Sequence, residues 1–286
     1  MKIAITGATG QLGQLVIQHL VQKIPAEQIV ALVRDLNKAQ NLKDQGIELR
    51  HFDYDQPDTL AAALNGVDKL LLISANEIGR RAPQHKAVIE AAQQANVPYI
   101  AYTSLLHADD SPLGLAQEHR ETEQMIRDSG LRYTFLRNNW YAENYLGNLA
   151  HDVQSGVIYG AADQGEIHAA SRNDYAEAAA EVLLGRQHFG KTYELASTVS
   201  FTKSDLAAVI SKVSGQPVRY ENLSPEDYRN GLIKAGLDAD FAAFLADVDF
   251  KTSHGAMETH HRALEALIHR PTTALEEIVS QHLNMH

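Results

Sequence analysis

The run Thr6-Gly7-Ala8-Thr9-Gly10-Gln11-Leu12-Gly13 places three glycines in a G-x-x-G-x-x-G spacing, behind a β-rich stretch and ahead of an amphipathic helical one. That context separates a nucleotide-binding turn from chance glycines. Backbone without side chains turns tightly and approaches a pyrophosphate closely, and the following helix offers free N–H groups at the positive end of its dipole. Gly7, Ala8, Thr9, Gly10, Gln11, Leu12 and Gly13 are therefore the expected phosphate contacts. Further on, the second β-rich run ends in Val33-Arg34-Asp35. An acid there accepts from a ribose 2′-OH and selects NAD, whereas an arginine pairs with a 2′-phosphate and selects NADP. Both stand side by side, and periodicity leaves open which one faces a ribose.

Composition narrows the chemistry. Among 286 residues there is no cysteine, and 25 Lys and Arg face 36 Asp and Glu, a formal charge of -11. A catalytic thiol, a Cys-ligated metal and a disulfide scaffold are excluded. An acidic chain without a basic cluster is a poor nucleic-acid binder. His254, His260, His261, His269, His282 and His286 crowd the C-terminal end, but no HExxH pattern is found there. They read as a solvated helix, with no metal expected. A serine hydrolase lacks its G-x-S-x-G elbow. The first apolar run has three residues and no window approaches a membrane span, so the expected address is cytoplasmic, with no membrane partner.

The elements that must position these residues alternate through the first half. Strands are expected over 2–6, 28–34, 48–51, 69–74, 99–104 and 133–137, and helices over 11–23, 37–45, 57–64, 80–96 and 115–129. Continuously apolar strands alternating with helices specify an α/β doubly wound parallel sheet of Rossmann type. Beyond residue 138 helices dominate, over 141–154, 174–184, 202–214, 224–235, 240–249 and 273–283, with short strands over 157–159, 192–195 and 218–223. The expected division is a dinucleotide-binding domain of residues 1–137 and a small, mostly helical substrate lobe of residues 138–286 packed on it. A homodimer is compatible with the sequence, which does not set the oligomeric state.

On the glycine run the chain resembles the atypical short-chain dehydrogenase/reductases, and among them the NmrA-like family. Leu32-Val33-Arg34-Asp35, Leu70-Leu71-Leu72-Ile73-Ser74, Ala101-Tyr102-Thr103-Ser104 and Tyr133-Thr134-Phe135-Leu136-Arg137-Asn138 extend the resemblance over essentially the whole chain. Thr103-Ser-Leu-Leu-His107-Ala and Arg137-Asn-Asn-Trp-Tyr-Ala-Glu-Asn144 bring it nearest to the family's bacterial quinone reductases, with dye reductases close by.

The resemblance implies hydride transfer from NADPH to a quinone, with NADH weaker and no flavin. It places Arg34 at the 2′-phosphate and Asp53 near the adenine, although Asp53 also reads as a helix cap. Ser74, Ala75 and Asn76 are placed along the ribose and nicotinamide side, at a strand's carboxyl end where open sheets bind ligands. The stretch Asn138, Asn139, Trp140, Tyr141, Ala142 and Glu143 completes the cofactor site. The Tyr-x-x-x-Lys pair of ordinary short-chain reductases is missing from residues 115–125. His119 aligns with a lysine of the isoflavone-reductase-like branch and is a candidate to orient the ribose or protonate the quinone. His107 is a second candidate, just after the fifth strand. Asn138 is the expected main polar group, stabilising oxyanion character on the acceptor. Two other functions fit the same family: an NADP-binding redox sensor without catalysis, and a triarylmethane or azo dye reductase.

Overall fold

The computed structural model describes residues 1–284. β1 (Ile3–Ile5), β2 (Ile29–Val33), β4 (Lys69–Leu72) and β5 (Tyr99–Leu105) have every residue buried, because helices cover both faces of the sheet. With β3 (Glu48–His51), β6 (Arg132–Asn138) and β8 (Lys191–Leu195) they form a seven-stranded sheet in the order β3-β2-β1-β4-β5-β6-β8. Every pairing is parallel. The edge strands β3 and β8 are the least buried of the seven.

One face of the sheet packs on α1 (Gln11–Val21) and α7 (Arg172–Leu184), through Val16, Ile17, Leu20, Ala179 and Leu183. The other packs on α3 (Pro57–Ala63), α4 (Arg81–Gln94) and α5 (Ala116–Asp128), around Leu60, Val88, Ala92 and Phe135. Two elements expected in the substrate lobe thus belong to the sheet layer. β8 pairs with β6 over 134–138, and α7 lies against α1. Tyr175 and the alanines of α7 are buried, because the sheet, α1 and the helix over 263–268 together cover them.

The lobe proper gathers a third core around Ile158, Phe201, Leu206, Ile210, Met257 and Val279. A two-stranded parallel sheet of β7 (Val157–Gly160) and β9 (Arg219–Asn222) supports it. The helix expected over 141–154 is a 3₁₀ turn, Ala142–Tyr145, followed by a short α6 (Leu149–Ser155). The expected helix over 37–45 likewise opens as a 3₁₀ turn, Asn37–Ala39, before α2 (Gln40–Asp44). Thr202 and Asp205 form the expected capping box of α8 (Lys203–Ser214), and Ser224 caps α9 (Pro225–Lys234). α10 (Ala239–Thr252) places Asp249 against Lys203, a buried ion pair whose carboxylate also accepts from the Ala161 N–H. His260 and His261 are not helical; residues 258–262 are irregular and precede α11 (Ala263–Ile268). α12 (Leu275–Leu283) ends the described chain, and His286 lies outside the described residues.

Candidate active site

β1 and β4 are neighbours at the centre of the strand order, where the connections diverge to either side. The loops after their carboxyl ends part there and leave a crevice. Gly7 sits in it with φ +58°, a conformation that only glycine adopts without strain. The Gly10 N–H donates to the Gly7 carbonyl at 2.9 Å, and no side chain caps the N-terminus of α1. A Cβ on Gly13 would lie 2.3 Å from the Gly7 oxygen, so the third glycine lets the helix pack on the turn. Ala8 and Leu12 are buried in the core, whereas Thr9, Gly10 and Gln11 are exposed. The turn therefore presents backbone and two short polar side chains to a ligand.

Arg34 and Asp35 part at the end of β2. Asp35 turns back on its own chain and accepts from the Asn37 N–H at 2.9 Å. Arg34 is 69% exposed and reaches to 3.8 Å from Glu77, in the loop after β4. Glu77 also accepts from Arg80, which donates to Asp55 at 2.7 Å. Asp53 is engaged locally, accepting from the Asp55 N–H and the Gln56 amide. The cap of α3 is Gln56, so Asp53 is not the helix cap that the sequence also allowed.

The backbone after β4 is held by side chains from three directions. The Ile73 N–H donates to Thr6 Oγ1 at 2.9 Å, the Ser74 N–H to Thr103 Oγ1 at 2.9 Å, and the Ala75 N–H to His85 Nε2 at 3.0 Å. Arg81 Nε donates to the Ala75 carbonyl at 2.8 Å. Asn76, next along, is exposed.

His119 is buried although Glu118, Arg120 and Glu121 flank it in sequence. It lies on α5, with Nδ1 2.7 Å from the Tyr102 hydroxyl and Nε2 3.3 Å from Arg81 Nη1. A guanidinium only donates, so Nε2 accepts and the ring proton sits on Nδ1, directed at Tyr102. Burial, and then the charge of Arg81, hold its pKa well below the usual histidine range. Both ring nitrogens are engaged and the ring stays neutral. The expected proton donation to a substrate does not fit this placement.

At the carboxyl end of β6, Asn138 is buried, and its Oδ1 has no hydrogen-bond partner among the described residues. Its amide lies beside the Tyr141 hydroxyl and opposes the rise that burial imposes on that phenol. The rest of the stretch is largely engaged in structure. Asn139 donates to the Met257 carbonyl at 3.0 Å and accepts from the Trp140 N–H. The Ala142 N–H pairs with the Ala170 carbonyl. Glu143 accepts from the Arg172 N–H at the start of α7. Tyr141 packs under the Arg172 guanidinium and edge-on to Tyr175, and Trp140 lies 6.3 Å from Phe244.

His107 adopts φ +52°, and its N–H donates to Glu194 at 2.8 Å. The buried Arg137 pairs with Glu123, Glu194 and Asp109, so one cation fixes the loop after β5 to β8 and α5. The imidazole faces the 258–261 segment, lining with Glu258, Thr259, His260 and His261 a cavity of about 430 Å³. That segment is absent from the expected site. It has no motif, and only folding brings it beside β5 and β6. Among the described residues no group of three acids or histidines is placed to hold a metal, and no helix is long and apolar enough to cross a membrane.

A doubly wound sheet with a glycine turn at its switch point defines a dinucleotide-binding Rossmann-type fold, and residues 1–279 match the NmrA-like family. The chain belongs to that family. Over 283 residues, 99% of each chain, it is 53% identical to quinone oxidoreductase 2 of Escherichia coli. The crystal structure of the NADPH-dependent quinone oxidoreductase of that organism, complexed with NADPH, superposes with a TM-score of 0.96 at 53% identity, covering 99% of this chain and 100% of that one. The Citrobacter sp. triphenylmethane reductase complexed with NADP(H) superposes with a TM-score of 0.95 at 42% identity, covering 98% and 100%.

Proposed function

We propose that the protein transfers hydride from NADPH directly to a quinone, with no flavin between them. The observation that carries this reading is the unpartnered, buried Oδ1 of Asn138 at the carboxyl end of the sheet. Leaving such an atom unsatisfied costs about 1–3 kcal/mol, which a ligand donor offsets. Full-length likeness to a quinone oxidoreductase and its NADPH complex supports the choice of cofactor and acceptor.

The residues present fit the cofactor. The exposed backbone of Thr9, Gly10 and Gln11 and the uncapped start of α1 would hold the pyrophosphate. Arg34, free of Asp35, would pair with the 2′-phosphate, and Asp53 lies on the same side, after β3. Ser74, Ala75 and Asn76 would line the ribose. Asn138 Oδ1 is an acceptor, so it suits the N–H₂ of a carboxamide and not an oxyanion. Its part shifts from stabilising the acceptor's charge to orienting the nicotinamide. Bound NADPH supplies the hydride. A quinone gains aromaticity as it accepts, so no dedicated protein acid is required, and the proton that completes the hydroquinone comes from water. His107 and the 258–261 segment would border the acceptor, with Trp140 and Tyr141 offering flat surfaces.

The test is NADPH oxidation followed by absorbance, with and without para-benzoquinone. Quinone-dependent oxidation by the purified protein is the expected result. Cofactor binding without turnover across several quinones would favour the redox-sensor reading. Turnover with triarylmethane dyes alone would favour dye reduction, which the Citrobacter structure keeps in view.

A further inference from the structure

We infer that His85 and Arg81 are positioning residues for the hydride transfer, acting as a buried clamp on both backbone polar groups of Ala75. This rests on the reading that the loop after β4 lines the cofactor crevice. No other role is visible for two polar side chains so deeply buried on α4, with exposures of 0% for His85 and 5% for Arg81.

Hydrogen-bond polarity fixes what each does. The Ala75 N–H must donate, so His85 Nε2 accepts at 3.0 Å. The ring proton of neutral His85 then sits on Nδ1 and donates to Thr122 Oγ1 at 2.9 Å, while the Thr122 hydroxyl donates to the Glu118 carbonyl. Arg81 Nε donates to the Ala75 carbonyl, and its Nη1 reaches His119 Nε2 at 3.3 Å and Glu118 Oε2 at 3.5 Å. Glu118 in turn accepts from the Gly79 N–H at 3.0 Å, further along the same loop. Helices α4 and α5 thus fasten the loop from behind, at 75 and at 79. A loop held this way presents one conformation to a cofactor and loses little entropy on binding. His119 takes its place in this arrangement as an acceptor for Arg81, two bonds removed from Ala75.

The experiment compares wild type with His85→Leu and His85→Gln. Leucine removes the acceptor, and glutamine offers Oε1 in place of Nε2. Three readouts are taken: amide hydrogen exchange at 74–76 in the free protein, the KM for NADPH with kcat, and the inhibition constant of adenosine 2′,5′-bisphosphate. The expected result for His85→Leu is faster exchange at Ala75, a KM for NADPH raised about tenfold, and an unchanged inhibition constant. His85→Gln is expected to recover most of the KM and the exchange protection. A general loss of fold would weaken both ligands alike and would not be rescued. Unchanged exchange at Ala75 in a folded His85→Leu would overturn the clamp. Faster exchange with an unchanged KM would show the loop to be held but not to line the cofactor, which overturns the positioning role and the placement of the crevice, not the quinone chemistry. If the leucine variant does not fold, Arg81→Met removes the bond to the Ala75 carbonyl instead, and an unchanged KM for NADPH in that folded variant overturns the positioning role.

Discussion

Arg34 Nη1 stands 3.8 Å from Glu77 Oε1 across the mouth of the crevice, joining the end of β2 to the loop after β4. With Arg34 69% exposed, the pair contributes little to stability. Its interest lies in competition, because a 2′-phosphate would seek the same guanidinium that Glu77 holds. Arg34→Ala should weaken NADPH relative to NADH by about 1.5–3 kcal/mol, the worth of a charge-assisted bond. Glu77→Gln should do the opposite, tightening NADPH a few-fold and leaving NADH alone. Fluorescence titration of each variant with both cofactors decides it; equal losses in Arg34→Ala would remove that residue from the role.

Asn138→Ala separates function from stability. Deleting Oδ1 removes an unsatisfied group, but Tyr141 loses the amide beside its buried hydroxyl, so the melting temperature should fall only modestly. The KM for NADPH should rise about tenfold, as for one lost hydrogen bond, with a smaller fall in kcat. A large drop in kcat at constant KM would instead return Asn138 to the acceptor's oxyanion.

Gly10 and Gly13 should respond differently. A Cβ at Gly13 meets the Gly7 oxygen at 2.3 Å and Ala8 Cα at 2.9 Å, so Gly13→Ala should destabilise the fold by about 1–3 kcal/mol. At Gly10 the contact is 3.1 Å and the position is exposed, so Gly10→Val should abolish binding of NADPH and NADH alike with native circular dichroism. Thermal melts set beside cofactor titrations would expose a wrong assignment of the two roles.

Acid should destabilise the protein through its buried imidazoles. Burial, with Arg81 nearby, pushes His85 down to about 3 from its ordinary 6.5, and His119 is lowered for the same reasons. The unfolded chain binds protons there that the folded chain refuses, so stability present above pH 6.5 is lost as pH falls toward 3. Each such group contributes a slope of up to about 1.4 kcal/mol per pH unit. Urea midpoints measured across that interval should fall with pH, and less steeply in His85→Gln. Equal slopes in the two proteins would mean that His85 is not buried neutral.

Much of the sheet was legible because its rules are local. An unbroken run such as Ile29–Val33 has no polar face to show to water, so it must be an interior strand. The turn at Gly7 was equally open to reading, since a positive φ and a Cβ-free contact depend on residues within one loop. His119 was harder. The buried positions of α5 are Ala116, His119, Thr122, Glu123 and Ile126, a helical stripe that is mostly polar, so residue type does not mark His119 as buried. Its partners, Tyr102 and Arg81, lie 17 and 38 residues away.

What the sequence determined by itself was therefore the doubly wound frame, the glycine turn and the family. Tertiary structure alone decided that Asp35 folds back while Arg34 reaches across, that β8 and α7 complete the sheet layer, and that Asn139 is tied to Met257, 118 residues on. It also decided that Ala75 is gripped by His85 and Arg81. The physical reason is the same in each case. Backbone conformation and burial period are properties of neighbouring residues. A buried hydrogen bond between distant side chains has no local signature until packing excludes water and makes the partner obligatory.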